Sequence, residues 1–519
     1  MKKLTFTLLL SLCALLIQAQ TTAYLKVGNT GSFRTIEKVS SGGYITVAFD
    51  SAYKIQIIRY DNNFNMMWKY KFTDALISPI MPKIVEANDG NFYFMTASTE
   101  HTSSTWIVKL SSTGALIWQK LYYLASGNLY SIALSKAVAG DNGFLFGGGQ
   151  CTLYNYIIKC AADGTIEWQN QYYYPLTTGV ITCWSIIPDG SEYVVSSSYN
   201  INSLLTMKIS PTGAVNSHTA YTYTGMQIVP TRIVKLKNTG GYAIVGGYNN
   251  SNDNKTEFVA IYSSALSLLS FNELTVTYTQ FTLYDIAAIN NGKNVVVDGS
   301  IYDGSAFTQI MINLSNTGSV VWKKRAAGNT STSNKNVELY GLTENGSTTV
   351  HIGAGYNEGR VMAVIDSNGN GLCNDVEFSL NNVHRTLTLQ SQTITVMPAN
   401  ALKGDVAYTY NNSASYNKQI YCGSISGINE EAETQTLSAT LFPNPASDHC
   451  TISFNDETIS GPSNLSVYDI SGQVVYQCKL EANTSSKEIS TGDFPEGIYM
   501  VQISSYRGIV WNGKLVVMK

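Results

Sequence analysis

The sequence predicts an all-β protein, a ring of seven alike sheets followed by a small Ig-like β-sandwich, and three observations carry that prediction. Of 519 residues only 13% are charged, while 44% are hydrophobic, with 34 Tyr and 42 Gly against 11 Pro; strands and turns suit such a composition better than charged surface helices do. One turn-and-strand phrase recurs seven times at intervals of 47 to 54 residues. The last 79 residues then change pattern, alternating apolar and polar positions between short turns. A chain this apolar is not disordered, and a net charge of -3 is too balanced for a dedicated nucleic-acid binder.

At the amino end, Met1-Lys2-Lys3 precedes an apolar run from Leu4 to Ile17 and then Gln18-Ala19-Gln20. This is the layout of a secretory signal peptide, residues 1–19, cut after Ala19. The run is too short to span a bilayer comfortably, and no later stretch is long and apolar enough, so no transmembrane segment is expected in the mature chain.

Residues 20–383 hold the repeats. Each begins with a tight turn and an apolar strand, as in Asp89-Gly-Asn-Phe-Tyr-Phe, Asp141-Asn-Gly-Phe-Leu-Phe and Asp189-Gly-Ser-Glu-Tyr-Val-Val, with Gly43, Gly90, Gly143, Gly190, Gly241, Gly292 and Gly346 as markers. A second strand, a turn and a third strand follow: Ile107–Trp118, Ile157–Trp168 and Met311–Trp322 align without gaps, and Ile57–Trp68 fits with Phe64 in place of the turn Gly. A further strand precedes each marker, such as Ile36-Glu-Lys-Val, Lys83-Ile-Val-Glu and Arg232-Ile-Val-Lys. Four strands in about 50 residues make a propeller blade, which cannot bury both faces alone and must stack on its neighbours. The prediction is a seven-bladed β-propeller. Ala23-Tyr-Leu-Lys-Val is available to complete the last blade, while residues 384–423 are assigned to closure or extra strands without a clear slot.

Residues 424–440 are polar, locally acidic and read as a linker. Residues 441–519 carry Leu441-Phe-Pro-Asn-Pro-Ala-Ser-Asp448, Val467-Tyr-Asp-Ile-Ser-Gly-Gln-Val474, Pro495-Glu-Gly-Ile-Tyr-Met-Val501 and Gly513-Lys-Leu-Val-Val-Met-Lys519. These four blocks, in this order, resemble the type A C-terminal sorting domain of the Bacteroidetes type IX secretion system. The resemblance implies a sorting signal that includes Pro443, Asn444, Pro445, Gly497, Tyr499, Gly513, Lys514 and Lys519. It further implies export through the periplasm by the type IX machinery, with release or attachment at the outer-membrane surface.

Several residues are candidates for a site, and each has a plainer reading. Asp366-Ser-Asn-Gly-Asn-Gly-Leu-Cys-Asn-Asp-Val-Glu377 satisfies the calcium-loop pattern, with Asp366, Asn368, Asn370 and Glu377 as ligands. The repeat register places Asp366–Gly369 instead on Ser111–Gly114, Ala161–Gly164 and Ser315–Gly318, which are outer hairpin turns. No other cofactor is indicated. Trp118, Trp168 and Trp322 resemble the repeats of quinoprotein propellers only in the turn Gly and the Trp, and are expected between blades. A basic slot at Arg59, Lys109, Lys159 and Lys208 reads as solvated strand ends. Tyr199-Asn200, Tyr248-Asn249, Tyr302-Asp303 and Tyr356-Asn357, on loops of the opposite face, suit polar recognition of a glycan or peptide. Five scattered His give no metal-spaced pair, and the pairings Cys450–Cys478 and Cys373–Cys422 stay open. The functional expectation is a secreted or surface-attached binding module, with no nucleic-acid partner. A carbohydrate-active propeller enzyme with channel acids and a structural envelope component are the alternatives.

Overall fold

A computed structural model of the chain describes residues 23–27, 31–50, 52–74, 77–100, 104–124, 129, 131–149, 155–173, 181–199, 203–223, 228–248, 256–326, 337–355, 359–371, 375–390, 394–406, 410–411, 418–423, 439–454, 463–469, 473–481, 484–505 and 508–519. The expected signal peptide and most of the expected linker lie outside them. The chain divides into two compact units, residues 1–426 and 427–519.

In the first unit each repeat folds into an antiparallel blade that runs outward strand by strand. Blade 1 is Ser32–Lys38, Tyr44–Phe49, Ile55–Tyr60 and Met66–Phe72. Blade 2 is Ile77–Glu86, Phe92–Ser98, Ser104–Leu110 and Leu116–Leu124, and blade 3 is Ser131–Lys136, Phe144–Gly149, Asn155–Cys160 and Ile166–Tyr173. Blade 4 comprises Ile181–Asp189, Glu192–Tyr199, Ser203–Ile209 and Val215–Thr222; blade 5 comprises Ile228–Leu236, Gly241–Tyr248, Thr256–Tyr262 and Leu268–Thr275. Blade 6 comprises Gln280–Ile289, Asn294–Tyr302, Phe307–Ser315 and Val320–Ala326. Blade 7 takes Val337–Asn345, Thr348–Gly355 and Gly359–Ile365 from its own repeat and borrows Ala23–Val27 from the amino end, Leu25 pairing with Met362. The inner strands contact one another in the order of the blades, and blade 7 returns to blade 1, so the sheets form a closed ring.

Each blade has five strands, one more than the repeat supplies in blades 1 to 6 and two more in blade 7. Short strands after the last repeat add to the outer edges in reverse order: Asp375–Val376 to blade 6, Asn381–His384 to blade 5, Thr388–Gln390 to blade 4, Thr395–Pro398 to blade 3, Ala401–Asp405 to blade 2, Tyr410–Asn411 to blade 1 and Lys418–Gly423 to blade 7. Ala23–Val27 is therefore held on both edges, between Gly359–Ile365 and Lys418–Gly423. This belt circles the ring once. Where it steps between blades, an apolar side chain enters the cleft between them: Phe378 between blades 6 and 5, Leu387 between 5 and 4, Ile394 between 4 and 3, Ala401 between 3 and 2, and Val406 between 2 and 1.

The cores lie between blades rather than within them, as a two-faced sheet requires. Trp106, Tyr93, Tyr122, Tyr172, Tyr193, Tyr242 and Tyr262 are fully buried there. The recurring Trp and turn Gly belong to one contact. Trp118 Nε1 donates to Ala162 O at 3.1 Å, Trp168 Nε1 to Pro211 O at 2.6 Å and Trp322 Nε1 to Ser367 O at 2.7 Å, each on the outer hairpin of the next blade. A Cβ at Gly369 would lie 2.8 Å from the Trp322 ring, and at Gly114 2.7 Å from Trp68; both glycines also have positive φ, +82° and +88°. In blade 1 the Gly slot is Phe64, at φ 61° and buried against Tyr44 with ring centroids 5.0 Å apart.

The basic slot is corrected by the structure. Arg59, Lys109 and Lys159 are only 3%, 5% and 1% exposed. They point inward and cap the marker turns: Lys109 pairs with Asp89 at 3.3 Å, Lys159 with Asp141 at 2.8 Å, and Arg59 donates to the carbonyls of Gly42 and Tyr60. In blades 2 and 3 the turn carries an acid that makes burial of the cation tolerable, joined in blade 3 by Glu167 of the outer strand at 2.7 Å from Lys159; in blade 1 backbone carbonyls hold the guanidinium.

The second unit is a β-sandwich. Ala439–Phe442, His449–Phe454 and Ser486–Ser490 form one sheet; Val474–Leu480, Ser463–Tyr468, Gly497–Ser505 and Gly508–Val517 form the other. Cys450, Ile452, Leu465, Val467, Ile489, Val501, Ile503 and Leu515 fill the space between them. Cys450 and Cys478 are free thiols, so that pairing is not made; Cys373 and the side chain of Cys422 lie outside the described residues.

The belt residues Phe378 and Leu387 are buried to 5% and 8% exposure in separate clefts. Phe378→Ala and Leu387→Ala are each expected to cost about 2–4 kcal/mol, and the double variant close to their sum. Urea unfolding followed by Trp fluorescence measures this; an unchanged midpoint in the double variant means that the belt does not hold the ring.

Candidate functional site

The inner strands of the seven blades line a central channel. Every inner strand has a register shift, and the residue that follows it is Thr35, Lys83, Ala133, Ser185, Arg232, Asp285 or Gly341. Such a bulge bends the strand and re-aims the side chain beside it. In four blades this residue is small or a hydroxyl. In the other three it is Lys83, Arg232 or Asp285.

Arg232 spans the channel. Its Nη1 donates to Asp285 Oδ2 at 2.7 Å in the adjacent blade 6, and its Nη2 to Glu37 Oε1 at 3.0 Å in blade 1. Asp285 Oδ2 also accepts the Leu342 N–H of blade 7 at 3.1 Å, so this network joins four blades. Burial opposes the Arg232 charge, but Asp285 and Glu37 outweigh it and hold the guanidinium above its ordinary range. Burial raises the Glu37 carboxyl, with Arg232 pulling the other way. Burial lowers the Lys83 ammonium; Glu37 and Asp285 are near it, yet neither is in ion-pair contact with it.

This strut separates two cavities of about 240 Å³ each, both walled by Glu37 and Arg232. The first is lined by the inner strands of blades 1 to 5 and includes Lys83, Trp184 and Ser185. The second, bounded by blades 5, 6, 7 and 1, reaches Gly292 and the pair Lys237–Glu344 at 3.1 Å on the turn side. Behind Asp285, in the core between blades 6 and 7, His351 and Asp298 are fully buried. His351 Nδ1 lies 3.2 Å from Asp298 Oδ2, and Nε2 lies 2.7 Å from Thr349 Oγ1. Burial pulls His351 down to about 3 and raises Asp298 well above the usual carboxylate range, so both favour their neutral forms. The pair is part of the packing and does not reach the channel wall.

The candidates read from sequence lie elsewhere. Tyr248 is a core residue at 7% exposure, against Tyr223, Phe258 and Phe271, its hydroxyl 3.5 Å from Glu273 Oε2. The Tyr302 ring lies tilted against Phe307 with centroids 4.9 Å apart and its hydroxyl donates to Gly304 O, while Asp303 Oδ1 accepts the N–H groups of Ser305 and Ala306. Both serve their own turn. Asn200, Asn249, Tyr356, Asn357 and the side chain of Tyr199 lie outside the described residues. In the calcium-pattern loop, Asp366 Oδ1 accepts the N–H groups of Asn368 and Asn370, and Oδ2 accepts the Asn370 amide. Glu377 follows the belt strand of blade 6, beyond the outer hairpin of blade 7 that holds Asp366. Among the described residues no group of three or more His, Cys, Asp or Glu is placed to hold a metal ion.

Of the residues expected in the sorting signal, Asn444 and Lys514 are brought into contact. Asn444 donates to Lys514 O at 2.7 Å and accepts the Val516 N–H at 2.8 Å. Lys519 reaches Gly492 O and its N–H reaches Glu496, while the Tyr499 hydroxyl donates to Pro495 O at 2.7 Å. Pro443 and Pro445 flank Asn444, and Gly497, Gly513 and Lys514 lie on the paired last two strands. The channel residues Lys83, Arg232 and Asp285 were missed, although the signal was present: a charge inside an otherwise apolar inner strand.

Residues 440–518 match the secretion system C-terminal sorting domain family. The tail thus marks the chain as cargo exported by the type IX secretion system to the cell surface or extracellular space. No curated protein matches the chain. Among solved structures, a protein of unknown function from Bacteroides caccae aligns at 12% identity and TM-score 0.34, over 58% of this chain and 93% of that one. Raptor from Chaetomium thermophilum aligns at 10% identity and TM-score 0.42, over 68% of this chain and 30% of that one. The Dos1 propeller aligns at 10% identity and TM-score 0.33, over 95% of this chain and 99% of that one. Such likenesses carry no functional argument. Among the described residues no helix is long and apolar enough to cross a membrane.

Asp285 has a side chain 7% exposed and Arg232 one 25% exposed. Arg232→Met, which leaves that carboxylate buried without its cation, is expected to cost about 3 kcal/mol. Adding Asp285→Asn is expected to restore part of the loss in a double-mutant cycle by urea unfolding, Glu37 still lacking its cation. Equal losses in the single and double variants would contradict the pairing.

Proposed function

We propose that the chain is a secreted or surface-attached propeller binding protein, whose ligand, a glycan or a peptide, is taken at the central channel. The observation that supports this reading is the state of the channel acids. Glycoside hydrolysis needs two carboxyl groups with separate roles, one kept protonated and one ionised. Glu37 and Asp285 instead share one guanidinium and brace the ring. What stays open is a polar, partly charged wall with a Trp beside it, which suits holding a ligand better than cleaving one.

The two parts of the proposal have separate tests. A chain lacking Gly513–Lys519 is expected to accumulate in the periplasm, read by surface protease accessibility and cell fractionation; undiminished surface exposure would refute the sorting role. The mature full chain is expected to retain a defined ligand class on combined glycan and peptide arrays without turning it over. Hydrolysis of a retained glycan would replace this reading with the enzyme.

A further inference from the structure

We propose that the channel cavity walled by blades 1 to 5 is a subsite for an acidic sugar, a pyranose bearing a carboxylate, anchored by Lys83 with Trp184 as its apolar platform. This rests on the channel being the ligand site. The charge on that wall is uneven. Lys38, Lys83, Lys136 and Arg232 face it against Glu37 and Glu86. Both acids are already engaged: Glu37 accepts from Arg232 at 3.0 Å, and Glu86 accepts the N–H and the hydroxyl of Ser40 at 2.7 Å each. Among the described residues, no carboxylate forms an ion pair with Lys38, Lys83 or Lys136. The three ammonium groups therefore favour an anion arriving from outside.

The remaining chemistry narrows the anion. Trp184 lines the same cavity, and its Nε1 donates to Ser198 Oγ at 2.9 Å, which fixes the indole. An indole face beside hydroxyls of Thr35 and Ser185 fits the C–H face and hydroxyls of a sugar ring. A volume of about 240 Å³ lies below the usual range for drug-sized ligands and suits one ring, hence a terminal or single acidic unit. Inorganic phosphate would satisfy the lysines and leave Trp184 without a use.

The test is titration of the mature full chain with tri-galacturonic acid and with neutral galactotriose, by calorimetry at low and high salt. The acidic sugar is expected to bind at least tenfold more tightly, with the difference shrinking as salt rises. Lys83→Met is expected to reduce that affinity by about tenfold or more, with melting unchanged. Lys237→Met, in the other cavity, should leave it as it is. If Lys83→Met does not fold, Lys136→Gln at the rim is expected to weaken binding several-fold. Equal affinity for both sugars, or full affinity in a folded Lys83→Met, overturns the inference. So does tight binding of poly-glutamate or phosphate without the acidic sugar. Should the arrays find only a neutral glycan or a peptide, this subsite fails while the binding function stands; with no ligand of any class, both fail.

Discussion

Interblade packing is the interaction on which the rest of this structure depends. A narrow twisted sheet with two apolar faces is not stable alone, so each blade is completed only by the blades beside it. The repeat encodes that contact twice. A Trp near the start of one outer strand lies against the outer hairpin of the next blade, whose turn is glycine where a Cβ would strike the ring. Tyr hydroxyls from the same outer strands reach the same turns, Tyr122 to Gly164 O and Tyr172 to Gly213 O. The belt then supplements this packing from outside, with one apolar side chain in each of five clefts. Because its last strand covers Ala23–Val27, ring closure uses residues from both ends of the propeller unit at once.

A closed ring of seven inner strands leaves a channel whose wall is set by the strand edges. The register shift shared by all seven strands gives one position in the repeat a part in the chemistry of that space, beside residues farther along each strand such as Glu37 and Lys136. Three blades place a charge there, and Arg232 uses two acids from different blades as a brace. This arrangement engages the structural acids with Arg232, while Lys83 beside them has no ion-pair partner among the described residues. It also explains how a chain with few charges can still present a locally cationic wall: the carboxylates nearby are already bonded, and low charge density elsewhere does not screen the imbalance.

Much of the fold was legible in the linear pattern, and less of the site. Glycine spacing, turn residues and alternating strands identify the blades because local backbone requirements are repeated at local distances. The sorting domain was legible for the same reason, its four blocks lying within 79 residues. Arg59, Lys109 and Lys159 were misread as solvated. Their partners include marker-turn groups of the same blade, a carbonyl of the next blade and Glu167, and nothing in a run of apolar residues says that a lysine inside it is capped. Tyr248 and Tyr302 suggested recognition, since aromatic side chains beside Asn or Asp have the same composition in a binding loop as in a packed turn.

The sequence by itself determined the sheets, their number of repeats, the turns between strands and the exported tail, because each depends on residues close together along the chain. Tertiary structure alone decided where residues 375–423 go and which charges meet in the channel. A belt strand of two to six residues has no pattern of its own; its place is set by the free outer edge of each blade and the cleft beside it. Glu37 and Arg232 are 195 positions apart, and they meet only because the ring closes. The charged wall beside them is a product of that closure and of the bulge that turns each inner strand toward the axis.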